Sequence, residues 1–284
     1  MRAEHGSLKR GPRGVSPAVV AIAALAAVVM FFPIAWIVSS SFKTLVGISA
    51  WPPTLFPRHP TLENYLAVLT RVNLGVYLRN TLILIVGNTL GTLLSSALVA
   101  YPLARMEFRG KKVVFGLILA TMMVPSTAII IPQYILFGKL GWLNSFLPMI
   151  VPAFFAYPYN VFLFRQYYRT IPMSISESAF LDGCSHFQIL ARMIVPLSRS
   201  IFVTIGVLSA VFWWNEMFTP LIYIDSDDLK PLVLGALSIF KINFISRWDW
   251  QMAMSVLMVI PPIALYLVAQ KQLVEGIKTS GMKG

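Results

Sequence analysis

Glu177-Ser178-Ala179-Phe180-Leu181-Asp182-Gly183, with Pro196 further on, lies in a polar stretch, 165–200, between two apolar runs that are each long enough to cross a bilayer. No other long segment so placed is both charged and helix-prone, and its position decides how the rest is read. Outside it the chain reads as membrane. Hydrophobic residues fill 57% of the 284 positions and charged residues 12%, about half the roughly 25% of an ordinary soluble domain. Mean hydropathy is +0.74. In lipid a spanning segment must satisfy its own backbone polar groups, which favours helices. The expected fold is therefore all-α: a polytopic membrane protein with six transmembrane helices and one helical loop on a membrane face.

A span needs about 20 apolar residues, set by a hydrocarbon core of about 30 Å and a rise of 1.5 Å per residue. Six runs meet this, at about 16–39, 77–104, 113–135, 146–164, 201–223 and 251–273, leaving terminal tails at 1–15 and 274–284. The first is too long for the apolar core of a cleavable signal and is expected to be retained. Pro33 sits inside it, Pro125 and Pro132 inside the third, and Pro148, Pro152 and Pro158 inside the fourth, so the third and fourth are expected to be kinked or broken. In the second, Gly87, Gly91 and Ser95 fall near one face and invite close approach of another helix. Between the first two spans, Thr61 is placed to cap a short surface helix.

The formal charge of +12 is spread between apolar runs, which argues for membrane topology and against nucleic acid. Lys and Arg collect at the N-terminal tail, at Arg105, Arg109, Lys111 and Lys112, in 165–200 and at the C-terminal tail, making 15 of the 23. By the positive-inside rule this side is cytoplasmic, both termini included. One cysteine, Cys184, excludes an intrachain disulfide and reads as a small packing residue. His5, His59 and His186 offer no metal-ligand spacing, and no Gly-x-x-x-x-Gly-Lys-Ser/Thr loop is present for ATP.

Within 165–200, Pro172 stops the preceding helix and Ser174-x-x-Glu177 fits a capping box. Ile175, Ala179 and Phe180 give the new helix an apolar stripe for about two turns, and Gly183 permits a sharp turn. A second helix, 186–195, leads to Pro196, which suits the first turn of the fifth span. The spacing alone predicts a helical hairpin, and Glu177 could serve it only as a cap.

Glu177-Ser178-Ala179, Gly183 and Met193-Ile194-Val195-Pro196 together resemble the Glu-Ala-Ala loop of ABC importer permeases. That pattern is Glu-Ala-Ala, three residues, Gly, nine residues, Ile-x-Leu-Pro, and the spacing here is the same, with Ser178, Met193 and Val195 as departures. Tyr101-Pro102-Leu103-Ala104-Arg105, Phe108-Arg109-Gly110-Lys111, Pro132, Gly138-Lys139-Leu140-Gly141, Trp214-Asn215-Glu216 and the ending 276–284 look like the maltose and glycerol-phosphate type of carbohydrate importer. The likeness is to the shorter, six-span permease of a heterodimeric pair, with the type I importer fold.

The resemblance implies a non-catalytic subunit in the inner membrane of a bacterium or archaeon. Its partners would be a second permease, a cytoplasmic ATPase dimer that carries the ATP-Mg, an extracytoplasmic sugar-binding protein and the lipid bilayer. It implies no directly bound cofactor. Glu177, Ser178, Ala179, Asp182 and Gly183, with Met193 and Pro196 closing the motif, would form the coupling loop that sits in a cleft of the ATPase. The tail at Ser280, Gly281, Met282 and Lys283 would face the same partner. Asp225, Asp227, Asp228, Trp248 and Asp249 would meet the binding protein, although a solvated acidic loop and headgroup-level tryptophans account for the same residues. Trp214, Asn215 and Glu216 would lie on the translocation pathway, with packing and a structural hydrogen bond as the plainer reading. A reading from another class is a self-sufficient secondary transporter with Glu216 as its coupling carboxylate.

Overall fold

The computed structural model describes residues 16–239, 241–242 and 245–281. From the N-terminal side come α1 Pro17–Ser40, α2 Leu45–Ser49, α3 Glu63–Arg71 and the long α4 Leu74–Arg105. Then follow α5 Lys111–Thr121, α6 Ser126–Lys139, α7 Leu147–Ile150 with a 3₁₀ turn Val151–Phe155, and α8 Pro158–Tyr168. The central stretch holds α9 Met173–Leu181, α10 His186–Ile189, a π turn Leu190–Ile194 and α11 Val195–Leu197. The remainder is α12 Arg199–Asn215, α13 Phe218–Tyr223, a 3₁₀ turn Asp227–Leu229, α14 Leu232–Ile239, the two-residue strands β1 Lys241–Ile242 and β2 Ile245–Ser246, and α15 Trp248–Gly281. Apart from that small antiparallel pair the described chain is helical, as expected.

Among the described residues four helices are long and apolar enough to cross a membrane, or six if each of two bent pairs is one span. The third expected span is α5 and α6, bent by 91°: Pro125 cannot donate to the ladder and takes an extended ψ of 131°, so a new helix starts at Ser126. The fifth is shorter than the apolar run indicates. Regular helix ends at Asn215, Glu216 turns extended at ψ 117°, and α13 begins at Phe218. Before it, His186–Leu197 and Arg199–Asn215 meet at 78°. At the C-terminal end α15 continues beyond 273 as far as Gly281, which makes the described part of the expected tail helical. The N-terminal tail and residues Met282 and Lys283 lie outside the described residues.

The packing is centred on α4. Its residues Asn80, Leu84, Asn88, Thr92, Ser96 and Ala100 repeat at four-residue steps and are all essentially inaccessible, the pattern of a helix face pressed into a bundle. The small residues behave as their spacing predicts. A Cβ on Gly87 would come within 2.9 Å of Ile150, and one on Gly91 within 2.8 Å of Phe154, so α7 and its 3₁₀ turn approach closely only because both are glycine. Ser95 adds bonds at the same contact, donating from Oγ to the Ala153 carbonyl at 2.9 Å and accepting from the Ala156 N–H at 3.1 Å. One core cluster joins Ala97, Ala100 and Tyr101 of α4 to Phe164 and Tyr168 of α8 and to Ala179, Ile189 and Ile194 of the central stretch. Around α1 the opposite holds, since its most apolar window has no buried residue and burial begins only near its C-terminal end, at Ser40.

Candidate functional site

Pro172 sets the start of α9. With φ −54° and ψ 138° it stands as the N-cap, and Met173 is the first helical residue. Ser174 is thereby drawn into the first turn, and no side chain caps this end. The capping box expected from Ser174 and Glu177 does not form, because the proline fixes the boundary ahead of the serine. The same signature one helix later does form. Ser185 Oγ accepts from the Gln188 N–H at 3.3 Å while Gln188 Oε1 accepts from the Ser185 N–H at 2.8 Å, closing the N-terminus of α10. Ser185-x-x-Gln188 was present in the sequence as a signal. Replacing Ser185 with alanine is expected to cost about 1 kcal/mol locally, seen as roughly fivefold faster hydrogen exchange of the α10 amides. A displaced cap recurs at α3, where Leu62 holds the N-cap position and the Thr61 hydroxyl accepts from the Glu63 N–H at 3.1 Å.

The turn after α9 is a Schellman motif. Gly183 adopts φ +83°, its N–H donates to the Phe180 carbonyl at 3.1 Å, and the Cys184 N–H donates to the Ala179 carbonyl at 3.0 Å. Ala179 is 1% exposed and seats α9 on the core cluster, with Cys184 packed partly against it. The outward side carries Glu177, Ser178 and Asp182 beside exposed Phe180, Leu181 and Phe187. Leu181 is 89% exposed, an unusual position for a large apolar side chain outside the apolar spans. Ser178 returns its hydroxyl to the Ser174 carbonyl at 2.8 Å, whereas Glu177 has no hydrogen bond or ion pair among the described residues. Met193 is half-buried in the π turn. Pro196 does not open α12 as its place in the sequence indicated. It lies in α11, before the bend at Ser198, and the π turn widens the backbone where its ring would otherwise meet the Arg192 carbonyl.

Between α9 and the Arg105 end of α4 lies a cavity of about 380 Å³, lined by Tyr101, Arg105, Ser176, Glu177, Phe180 and His186. Arg105 is 7% exposed. Its Nη1 donates to the Pro172 carbonyl at 3.3 Å and to the Met173 sulfur at 2.9 Å, while Nε and Nη2 have no partner among the described residues. No signal singled out Arg105 as a site residue beforehand.

At the other end of the bundle, Asp225, Asp227 and Asp228 are exposed on a loop held from beneath. Asn144 Oδ1 accepts from the N–H groups of Asp225 and Ser226 at 3.1 and 2.9 Å, and Asn80 Nδ2 donates to the carbonyls of Asp228 and Lys230 at 2.8 and 3.0 Å. Asp227 pairs with Lys230. Asn144→Ala removes the acceptor for two loop amides and is expected to speed proteolysis at 224–228 severalfold, with spans unchanged by circular dichroism. Asp249, by contrast, is 3% exposed and forms a bidentate pair with Arg247 at 2.9 and 2.6 Å. Arg247 lies 3.8 Å over the Trp250 ring, and its hydrogen bonds to the Asp249 carboxylate raise its pKa above the ordinary arginine value. Trp248 is 43% exposed.

The three candidate pathway residues lie apart in environment. Trp214 is 6% exposed in a cluster that includes Tyr77 and Trp250, and its Nε1 donates to the Met258 carbonyl at 3.0 Å. Asn215 is exposed and Nδ2 donates to the Val211 carbonyl at 2.7 Å. Glu216 is half-buried at the break, where Oε1 accepts from the Thr219 N–H at 2.7 Å and caps α13.

The described residues form a helical bundle around α4, with four to six helices long and apolar enough to cross a membrane and an exposed helix–turn–helix between two of them. Residues 87–279 match the family described as the inner membrane component of binding-protein-dependent transport systems, and the chain belongs to that family. It is 30% identical to a probable ABC transporter permease of Bacillus subtilis, over 89% of this chain and 84% of that protein. It is 29% identical to a sulfoquinovosyl glycerol transport system permease of Agrobacterium fabrum, over 89% of each. The fold superposes with a TM-score of 0.80 on a chain of a bacterial ABC transporter involved in import of the acidic polysaccharide alginate, at 25% identity over 89% of this chain and 94% of that one.

Proposed function

We propose that this chain is one permease subunit of an ATP-driven importer of a carbohydrate, and that α9 and α10 are the element through which a separate ATPase drives it. Membership of the transport family supports the first part, and the names of the relatives, which include carbohydrate systems, support the substrate class. One observation carries the second part. Glu177 projects an unpaired carboxylate from a helix whose end is locked by a Schellman motif, next to the exposed apolar side chains of Phe180, Leu181 and Phe187. That is the composition of a protein docking patch, with apolar area for affinity and a directional charge for register.

The patch and both termini are assigned to the cytoplasmic side, a reading supported by the Lys and Arg collected at the end of α4 and in 165–200 under the positive-inside rule. A second permease covers the outward-facing apolar helices, and an extracytoplasmic binding protein meets the Asp225–Asp228 end of the molecule. Pathway residues are sought at the α12–α13 break, where Asn215 and Glu216 stand. Ser280, Gly281, Met282 and Lys283 are assigned to the same ATPase contact.

The test is purification from native membranes followed by reconstitution. Co-purification of an ATPase and a second permease, with solute uptake that depends on ATP, is expected. A chain that purifies alone and moves solute in liposomes without ATP overturns the reading.

A further inference from the structure

Arg105 ends α4 at the level where the central stretch begins, and it is buried there with no counter-ion among the described residues. Burying a guanidinium with two unpartnered nitrogens, which carry three N–H donors between them, is costly, so the single nitrogen that is used must hold something the fold needs. What it holds is the first turn of α9, through the carbonyl of Pro172 and the sulfur of Met173. The planar fork suits this, because one nitrogen reaches a carbonyl and a thioether side by side, which a lysine ammonium on a flexible stem does less well. One turn earlier on α4, the Tyr101 hydroxyl lies 3.5 Å from Nδ1 of His186, the first residue of α10. The end of α4 thus touches the start of both helices of the exposed hairpin.

Arg165 extends the same block. Its Nε donates to the Leu103 carbonyl of α4 at 3.1 Å, and its guanidinium lies 3.9 Å over the ring of Phe115 on α5. Two arginines therefore bind α4, α5, α8 and α9 into one body, whereas the link onward to α12 passes through the π turn and the 78° bend. Force applied to α9 has one stiff route and one jointed route.

We propose that Arg105 is a positioning residue that fixes α9 to α4, so that the two move as one body when the ATPase acts on α9. This rests on the coupling role proposed for α9. Arg105 itself touches neither solute nor nucleotide. Removing it leaves docking in place and lets α9 shift without carrying α4.

The experiment uses the whole reconstituted complex, with Cys184 replaced by serine and spin labels at Ser174→Cys on α9 and Leu98→Cys on the exposed flank of α4. With Arg105 present, the label separation is expected to be the same before and after ATP is added. In Arg105→Met it is expected to broaden or shift with ATP, while the ATPase still co-purifies and hydrolyses. Solute moved per ATP is expected to fall three- to thirtyfold in Arg105→Met and less in Arg105→Lys. An ATP-dependent change of separation with Arg105 in place overturns the proposal and needs no Arg105 variant to fold. Unchanged transport per ATP in Arg105→Met also overturns it. Loss of ATPase co-purification from the unsubstituted chain is a different failure, that of the coupling reading itself.

Discussion

Glu177→Ala is expected to lower ATP-driven transport by about 10- to 100-fold, the equivalent of a lost charge-assisted hydrogen bond of about 1.5–3 kcal/mol. The chain should otherwise fold normally. The carboxylate is exposed, makes no intrachain bond among the described residues and does not cap α9, whose start is set by Pro172. Its removal therefore lies within the roughly 0.5 kcal/mol typical of surface substitutions for the isolated subunit. Measuring transport and melting temperature on the same preparation separates the two roles. Reduced transport at unchanged melting temperature places the carboxylate in a contact with another protein. A lower melting temperature at full transport returns it to a purely local role.

Gly235→Ala is expected to be the most damaging single methyl group in the structure. A Cβ built there falls 2.1 Å from Cδ2 of Tyr77, 2.5 Å from Cε2 and 2.7 Å from Cγ, far inside any permitted contact. Neither side can withdraw easily. The Tyr77 ring is 8% exposed in a cluster with Trp214 and Trp250, and α14 is tied to α4 where the Leu232 N–H donates to Thr81 Oγ1 at 2.8 Å. Overpacking of this kind costs about 3 kcal/mol. A sharp drop in melting temperature, partly restored by adding Tyr77→Leu, is the expected result, and an unchanged melting temperature would show that the two helices separate freely.

Much of this arrangement could be read from residues in series. The apolar runs placed the long helices, Gly87, Gly91 and Ser95 marked the close face of α4, and Gly183 marked the turn after α9. These features depend on one chain segment at a time. What was not legible depends on partners distant in sequence. Trp214 looked available because Met258, whose carbonyl takes its indole N–H, lies 44 residues away. Glu216 looked embedded in a span because hydropathy does not register that the helix ends at Asn215. The capping box at α9 failed for a local reason, since two start signals, Pro172 and Ser174, competed and the proline took precedence.

The π turn at Leu190–Ile194 gives the spacing of the central motif an angular meaning. A π turn is an α-helical turn holding one extra residue, and in a helix each residue added or removed turns everything beyond it by about 100° and moves it by about 1.5 Å. The count of residues between Gly183 and Pro196 is thus a phase setting: it fixes which face of α12 looks inward for a given orientation of the exposed hairpin. Shortening the turn by one residue would leave every exposed side chain of α9 and α10 intact and still turn them by about 100° relative to α12.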